Sequence, residues 1–403
     1  MSGLAEQNGG RAGLFALIAI MLLGLGLRMG EAWDGRAPVF DAVAYARIAA
    51  NLDRGEGFTI GPRATQPASN YSPGIPFLAA GAYELAGGVH ERVARLVLAL
   101  LGALAVLFAY LIGRRLSGPL AGLIGAGAIA IYPALLEYQG MLMGEPLAAA
   151  LLSGAVLAAL WADEARQGDP ARGSCRGGGG ALRAVHGLSS TPPPPRHPRE
   201  RWLLPGALLG ALALVRPEYL GVALVLSLVV FGTELRLGWR KAIWSAVILL
   251  IGVVVVVLPW TVRNAFTLDR FVPVSTGGGQ VLFAGTYLPS DGDPERVGAE
   301  LVARNPELFG PGAVERLRLE QILTRLAAHR YPGMETDKAL AKMGKEQLRD
   351  DVSDEPLEYA GFVAAKIGRI WSHGPRDVMR EPGWELLHWA LVGFGLLGLI
   401  TLA

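Results

Sequence analysis

From Ala242 to Trp260 the chain reads AIWSAVILLIGVVVVVLPW, without a charged side chain. A segment this apolar keeps its backbone amides satisfied as a helix, and about 20 such residues cross a bilayer. Further mostly apolar runs lie at Gly13 to Met29, Val93 to Ile112, Leu120 to Leu136, Met141 to Trp161, Trp202 to Val215, Tyr219 to Gly232 and Trp384 to the C-terminus. The pattern predicts an all-α polytopic membrane protein with about eight spans. Composition agrees: 52% of the 403 residues are hydrophobic and 18% charged, with mean hydropathy +0.36, more apolar than a soluble domain of this length. The first run follows Arg11 but offers no small-x-small cleavage site, so it reads as an anchor. Pro205 and the Arg216-Pro217-Glu218 break leave two short pieces between Trp202 and Gly232, which fit one interrupted helix or a re-entrant hairpin.

Basic residues beside the spans set their orientation. Arg11, Arg114 with Arg115, the arginine-rich stretch from Arg166 to Arg201, and Arg236 with Arg240 and Lys241 all fall on one face when the spans are threaded alternately. That face is read as cytoplasmic. The other face receives the loop from Gly30 to Arg92, the turn Glu137 to Gly140, the Arg216 break and the long polar segment from Arg263 to Gly383. The organisation that follows is a transmembrane domain over 1–262, an outer helical domain over 263–383 and a last span over 384–403. Residues 163–200 contain RGGGGALRAV and TPPPPRHP, a Gly/Pro-rich composition that builds no core and reads as a flexible cytoplasmic linker. Helical patterning in AVERLRLEQILTRLAAHRY, TDKALAKMGKEQLRDDV and PLEYAGFVAAKIGRIW makes the outer domain helical rather than β.

Several chemistries are set aside. A net charge of +2 with no basic, aromatic-interleaved stripe gives no nucleic-acid signature. The lone Cys175 excludes an intrachain disulfide framework and a Cys-rich metal site. The six histidines fall in no ligand-like spacing, and neither a Gly-x-Ser-x-Gly elbow nor a Walker loop is present.

What remains gathers at the outer face. Asp41 opens FDAVAYARIAANLDRGEGF, a stretch with Val43, Ile48, Ala49 and Leu52 on one side and Arg47, Asn51 and Arg54 on the other, which suits a helix in the membrane interface. Taken alone, Asp41 fits an N-cap. Glu145, in MLMGEPLAAALL, is a carboxylate in an apolar helix, where an acid is costly unless paired or hydrated; its ordinary role is a wet helix-end acid. Arg216, with Glu218, breaks two short apolar segments, and Arg263 follows a span in LPWTVRN. Guanidinium forks match phosphate oxygens, although Arg263 alone fits a snorkelling anchor. Thr276, Gly277 and Gly278 open a glycine run whose amides suit close approach of phosphate, a weak signal that a flexible turn also explains. Carboxylates and arginines at one membrane face suit transfer chemistry on a lipid-linked phosphate.

The ordered set FDAVAYARIAANLDRGEGF, NYSPGIPFLAAGAYELAGG, IYPALLEYQGMLMGEPLAAALL, LALVRPEYL and LPWTVRNAFTLDRFVPVSTGGGQVLFAGTY resembles the polytopic GT-C glycosyltransferases, nearest to the bacterial relatives of protein O-mannosyltransferases and aminoarabinose transferases. It covers roughly Gly13 to Tyr287. The resemblance implies a GT-C-like helix bundle with interfacial helices in its first outer loop. It also implies an enzyme that takes a sugar from a polyprenyl-phosphate donor and passes it, with inversion, to a glycan, lipid or protein acceptor on the periplasmic or extracellular face of the cell membrane. By position in the motifs, Asp41 is the catalytic aspartate, Tyr45 its accompanying aromatic and Glu145 the acid at the start of the fourth span. Many relatives carry a second acid where Ala42 stands, so a divalent cation such as Mg or Mn would rely on Asp41, Glu145 and water. The last apolar run ends with the chain, as in a shortened form, and the Gly/Pro-rich linker is foreign to the pattern. Two other classes remain: a lipid-carrier transporter or flippase, for which midplane charges and repeated halves would speak, and a non-catalytic assembly subunit.

Overall fold

A computed structural model describes residues 2–38, 41–61, 66–167, 200–290, 294–373 and 377–402; most of the 163–200 linker, with Cys175, lies outside them. Two compact units divide between Val274 and Ser275. The first opens with α1 (Ser2–Asp34) and α2 (Asp41–Asp53), then a two-residue antiparallel pair, β1 (Thr59–Ile60) and β2 (Gln66–Pro67). It continues through α3 (Gly74–Ala86), α4 (Glu91–Ser117), α5 (Pro119–Ile131), α6 (Pro133–Glu137), α7 (Glu145–Gln167), α8 (Leu203–Val215), α9 (Tyr219–Glu234) and α10 (Trp239–Leu268).

Among the described residues, five helical segments are long and apolar enough to cross a membrane: Arg11–Asp34, Glu91–Ser117, Glu145–Asp163, Tyr219–Leu237 and Trp239–Leu268. The pair α5 and α6, bent by 47° at Tyr132, makes up to six. With the bent pair counted, two of the eight apolar runs are not among them, that of α8 and the one from Trp384 onward, and for α8 the reason is simple. Helix α8 ends after 13 residues, because Pro217 disfavours a helical conformation at Arg216 and turns it extended, at φ −144° and ψ 106°. The helix faces turned away from the bundle are apolar, with Leu224, Val225, Leu228 and Val229 on α9 and Val254, Val255 and Leu258 on α10 all exposed, as lipid contact requires.

Small residues bring the helices together. Gly206 and Gly210 of α8 face α10 so closely that an added Cβ at Gly206 would sit 2.0 Å from the Leu249 carbonyl oxygen, and one at Gly210 would sit 2.8 Å from that of Val253. Van der Waals packing of this kind holds helices in lipid, where the hydrophobic effect between them is absent. A second device was invisible in the pattern. Arg28, inside the first span, is 1% exposed and donates to the carbonyls of Gly24, Ala130 and Ile129 at 3.0, 3.0 and 2.8 Å. It thereby satisfies carbonyls left open at the end of α5.

The second unit comprises α11 (Gly278–Thr286), α12 (Pro294–Arg304), the short α13 (Pro306–Phe309) and α14 (Ala313–Arg316), α15 (Leu319–Arg330), α16 (Thr336–Asp354), α17 (Pro356–His373) and α18 (Pro382–Leu402). Its core joins Phe283, Val297, Leu301, Ile322, Leu323, Leu326 and Leu340. The single helix expected from AVERLRLEQILTRLAAHRY is two, because Arg318 is extended, at φ −75° and ψ 155°. Helices α11 and α16 touch backbone to backbone: a Cβ at Gly279 would fall 1.9 Å from the Asp337 carbonyl oxygen.

Candidate active site

Asp41 is the first residue of α2, where the helix dipole favours a carboxylate. The helix buries Ala42, Tyr45, Ile48, Ala49 and Asn51 and leaves Asp41 exposed. The expected facing needs correction here, since Val43 is 38% exposed and Asn51 only 2%. The loop after α2 folds back over Asn51, whose amide donates to the Thr59 carbonyl and hydroxyl at 2.9 and 3.2 Å. Period alone cannot register a loop closing over a polar residue. Ala42, where many relatives carry an acid, is 1% exposed and packs against Met141 and Met143. That apolar contact carries the start of α2 against the segment leading into α7.

Glu145 begins α7 after Gly144. Arg216 caps the end of α8, and its side chain joins two acids: Nη1 donates to Glu145 Oε1 at 2.7 Å and Nε to Glu218 Oε1 at 2.6 Å. Two glycines make room for this arginine. A Cβ at Gly144 would meet Val215 Cγ1 at 3.1 Å and Arg216 Cγ at 3.5 Å, and one at Gly74 would meet Val215 Cγ2 at 2.7 Å. Both glycines went unremarked in the sequence; the signal was Gly144 directly before Glu145 and Gly74 opening α3.

Electrostatics tie these groups to Asp41. Burial of its surroundings pushes the Asp41 carboxyl above the ordinary aspartate value although the side chain itself is exposed; Arg216 opposes this and Glu218 adds to it. Burial likewise raises the Tyr45 phenol, reinforced by Asp41, Glu145 and Glu218 and opposed by Arg216. Burial disfavours charge on Arg216, but the hydrogen bonds and charges of Glu218 and Glu145 outweigh it and hold the guanidinium firmly protonated. Hydrogen bonds join Glu145, Arg216 and Glu218, and Asp41 and Tyr45 lie within the electrostatic reach of that cluster.

Arg263 is used differently. It lies within α10, which continues through Pro259 to Leu268 rather than ending before it. Its guanidinium sits over the Trp260 and Phe58 rings at 4.8 and 5.5 Å. Trp260, Thr261 and Asn264 then grip the outgoing chain, donating to the carbonyls of Val274, Pro273 and Val272 at 2.7, 2.8 and 3.1 Å. Thr276, Gly277 and Gly278 fall in the second unit at the entry to α11. There the next two amides, of Gly279 and Gln280, donate to Asp337 Oδ1 at 2.9 and 3.4 Å, so the chain's own carboxylate caps this helix end.

A divalent cation would need several converging oxygens. Glu145 Oε2 is buried without a partner, but Glu145 Oε1 and Glu218 both turn onto Arg216, which fills the place between them. Among the described residues no three His, Cys, Asp or Glu side chains converge as metal ligands. The acids as arranged do not fit a divalent ion.

Residues 67–169 match the family of dolichyl-phosphate-mannose-protein mannosyltransferases. The match covers about a quarter of the chain and is a likeness of this segment to that family. It runs from β2 to α7 and includes Gly74, Gly144 and Glu145, while Asp41 and Arg216 lie outside it. No curated protein matches the chain. Among solved structures it is similar to the archaeal oligosaccharyltransferase of Archaeoglobus fulgidus in complex with an inhibitory peptide and a dolichol-phosphate, at 15% identity and TM-score 0.49, over 94% of this chain and 38% of that one. The apo form of the Archaeoglobus fulgidus enzyme gives 16% identity and TM-score 0.49, over 94% and 39%. The chain thus spans about two fifths of the length of those structures.

Proposed function

We propose that the chain transfers a sugar from a polyprenyl-phosphate donor to a glycan, lipid or protein acceptor on the non-cytoplasmic face of the membrane, with inversion and with Asp41 as general base. The acceptor hydroxyl oxygen attacks the anomeric carbon, the bond from that carbon to the phosphate oxygen breaks, and the hydroxyl proton passes to Asp41. Polyprenyl phosphate leaves with the electron pair. A raised carboxyl pKa makes Asp41 a better proton acceptor, and a base positioned for such a step contributes about 100- to 10,000-fold. Arg216 supplies a fixed cation for the charge that grows on the leaving phosphate. Two of its nitrogens are committed to Glu145 and Glu218, which orient the fork before substrate arrives. Tyr45, one helical turn from Asp41, suits a positioning role.

The observation that carries this reading is the exposed Asp41 carboxylate in the field of a guanidinium bracketed by two acids. In proteoliposomes supplied with polyprenyl-phosphate-linked radiolabelled sugar and an acceptor extract, the parent releases sugar from the carrier and Asp41→Asn loses about 100- to 10,000-fold of that rate. Asp34→Asn, upstream of the site, stays active. Near-parental transfer by Asp41→Asn makes the aspartate a helix cap, whose loss would cost only about 1 kcal/mol of stability.

A further inference from the structure

The second unit holds a cavity of about 580 Å³, inside the ~300–1,000 Å³ range of small-molecule sites. Its floor is apolar, with Met343 beside Phe283 and Tyr287, whose rings stack at 5.6 Å. Its rim carries guanidiniums from three helices: Arg304, which ends α12 and lies 3.9 Å from Glu300, Arg330 at the end of α15 beside His329, and Arg349 of α16. Both acids on the rim have partners, and the Asp350 partner is Arg349, so Arg304 and Arg330 are the rim guanidiniums not balanced by a rim acid. Glu346 accepts the Tyr331 hydroxyl at 2.5 Å, and Asp350 pairs with Arg349 at 3.1 Å.

A neighbouring depression is lined by Lys338, Lys342 and Lys345 and shares Glu346 and Arg349 with the first. Positions 338, 342, 345 and 349 recur at the helical period, so they form one ridge of α16. Tyr331 has its hydroxyl on Glu346, which lines both hollows, and its ring 4.3 Å below the Lys342 ammonium. A solvated charged face belongs to one helix. Here cations from α12, α15 and α16 converge on one concavity with an aromatic floor.

We propose that this cavity binds an anionic saccharide, one whose sugar rings carry carboxylate or phosphate groups, and so selects the acceptor. Guanidinium forks match either anion, and the apolar floor suits the C–H face of a sugar ring. A flat bilayer surface does not enter a concavity, which favours a glycan over lipid headgroups. The acceptor role rests on the transferase reading; the binding itself does not.

The test uses the full-length protein in nanodiscs of zwitterionic lipid, titrated with trigalacturonate, mannose 6-phosphate, neutral mannotriose and pyrophosphate. Saturable binding of at least one anionic sugar, weakened by salt and absent for mannotriose, is expected. The double substitution Arg304→Gln/Arg330→Gln should weaken it at least about tenfold. Arg325→Gln, an exposed α15 arginine outside the cavity, should leave it unchanged, and so should Asp41→Asn, which separates this site from the fate of the transfer reading. Arg304→Gln alone serves if circular dichroism shows that the double variant loses helix. The proposal falls if neither anionic sugar binds, if Arg325→Gln weakens binding as much as the cavity variants, or if phosphatidylglycerol vesicles are captured while the sugars are not. Pyrophosphate binding tighter than both sugars would also overturn it, assigning the cavity to a carrier phosphate.

Discussion

Arg216 and Arg263 both follow long apolar stretches, and in the sequence they look alike. Their surroundings differ. Arg216 stands in an extended residue between two helices and meets Glu145 and Glu218, whereas Arg263 stays helical and rests on Trp260 and Phe58. The lesson is that proline after an arginine changes its use: Pro217 breaks the helix and frees the Arg216 side chain to reach across to α7, while nothing interrupts α10 at Arg263. Under the proposed function, the arginine bracketed by acids is oriented for the carrier phosphate and the one stacked on rings is an anchor.

Substitution breaks the comparison most sharply at Arg216. Arg216→Gln removes the cation between two acids, and transfer should fall about 100- to 1,000-fold, as when an oriented charge-stabilising donor is lost. Arg216→Lys should recover only part, since an ammonium lacks the fork. Parental rates in Arg216→Gln, at matched expression, would place this arginine outside the chemistry.

Gly74→Ala comes next. Its new Cβ would press on Val215 Cγ2 at 2.7 Å and on the Leu214 carbonyl oxygen at 3.0 Å, directly before Arg216. Overpacking of this kind costs about 1–3 kcal/mol, and misplacing a positioned group by about 1 Å can cost about 100-fold in rate. A lower thermal midpoint with reduced transfer is expected. An unchanged midpoint and rate would show that α8 gives way freely and that Arg216 is not held by close packing.

Arg263→Gln should have the smallest effect. It removes cation–π contacts worth about 0.5–1 kcal/mol each at an accessible site, so a small drop in thermal midpoint and a change in transfer below about tenfold are expected. A loss as deep as that of Arg216→Gln would erase the distinction between the two arginines.

Much of the architecture was legible in the sequence because lipid imposes so strict a rule on backbone amides. The long spans, the helix opening at Asp41 and the helices of the second unit follow from period, breakers and length. Glu145 and Arg216 stood out because charge in an apolar stretch is costly, although their pairing across 71 residues could not be read from local spacing. Arg28 escaped notice because its partners are backbone carbonyls of another helix. Asn51 was assigned to the wrong face because a later loop covers it, and α8 proved too short to count as a span by itself.

Asp41 is proposed as a base in the combined field of Arg216 and Glu218, and the pH dependence of transfer reads that field. Transfer requires the ionised carboxylate, so the rate should fall as pH drops through the Asp41 pKa, with a midpoint above the ordinary aspartate value. Glu218 raises that pKa and Arg216 lowers it. Glu218→Gln removes the first influence and leaves the Arg216 charge less neutralised, so both changes move the midpoint the same way, to lower pH. A one-proton acid limb that shifts down in Glu218→Gln is the predicted result; a limb at the same pH in parent and variant, or one that persists in Asp41→Asn, would contradict the account.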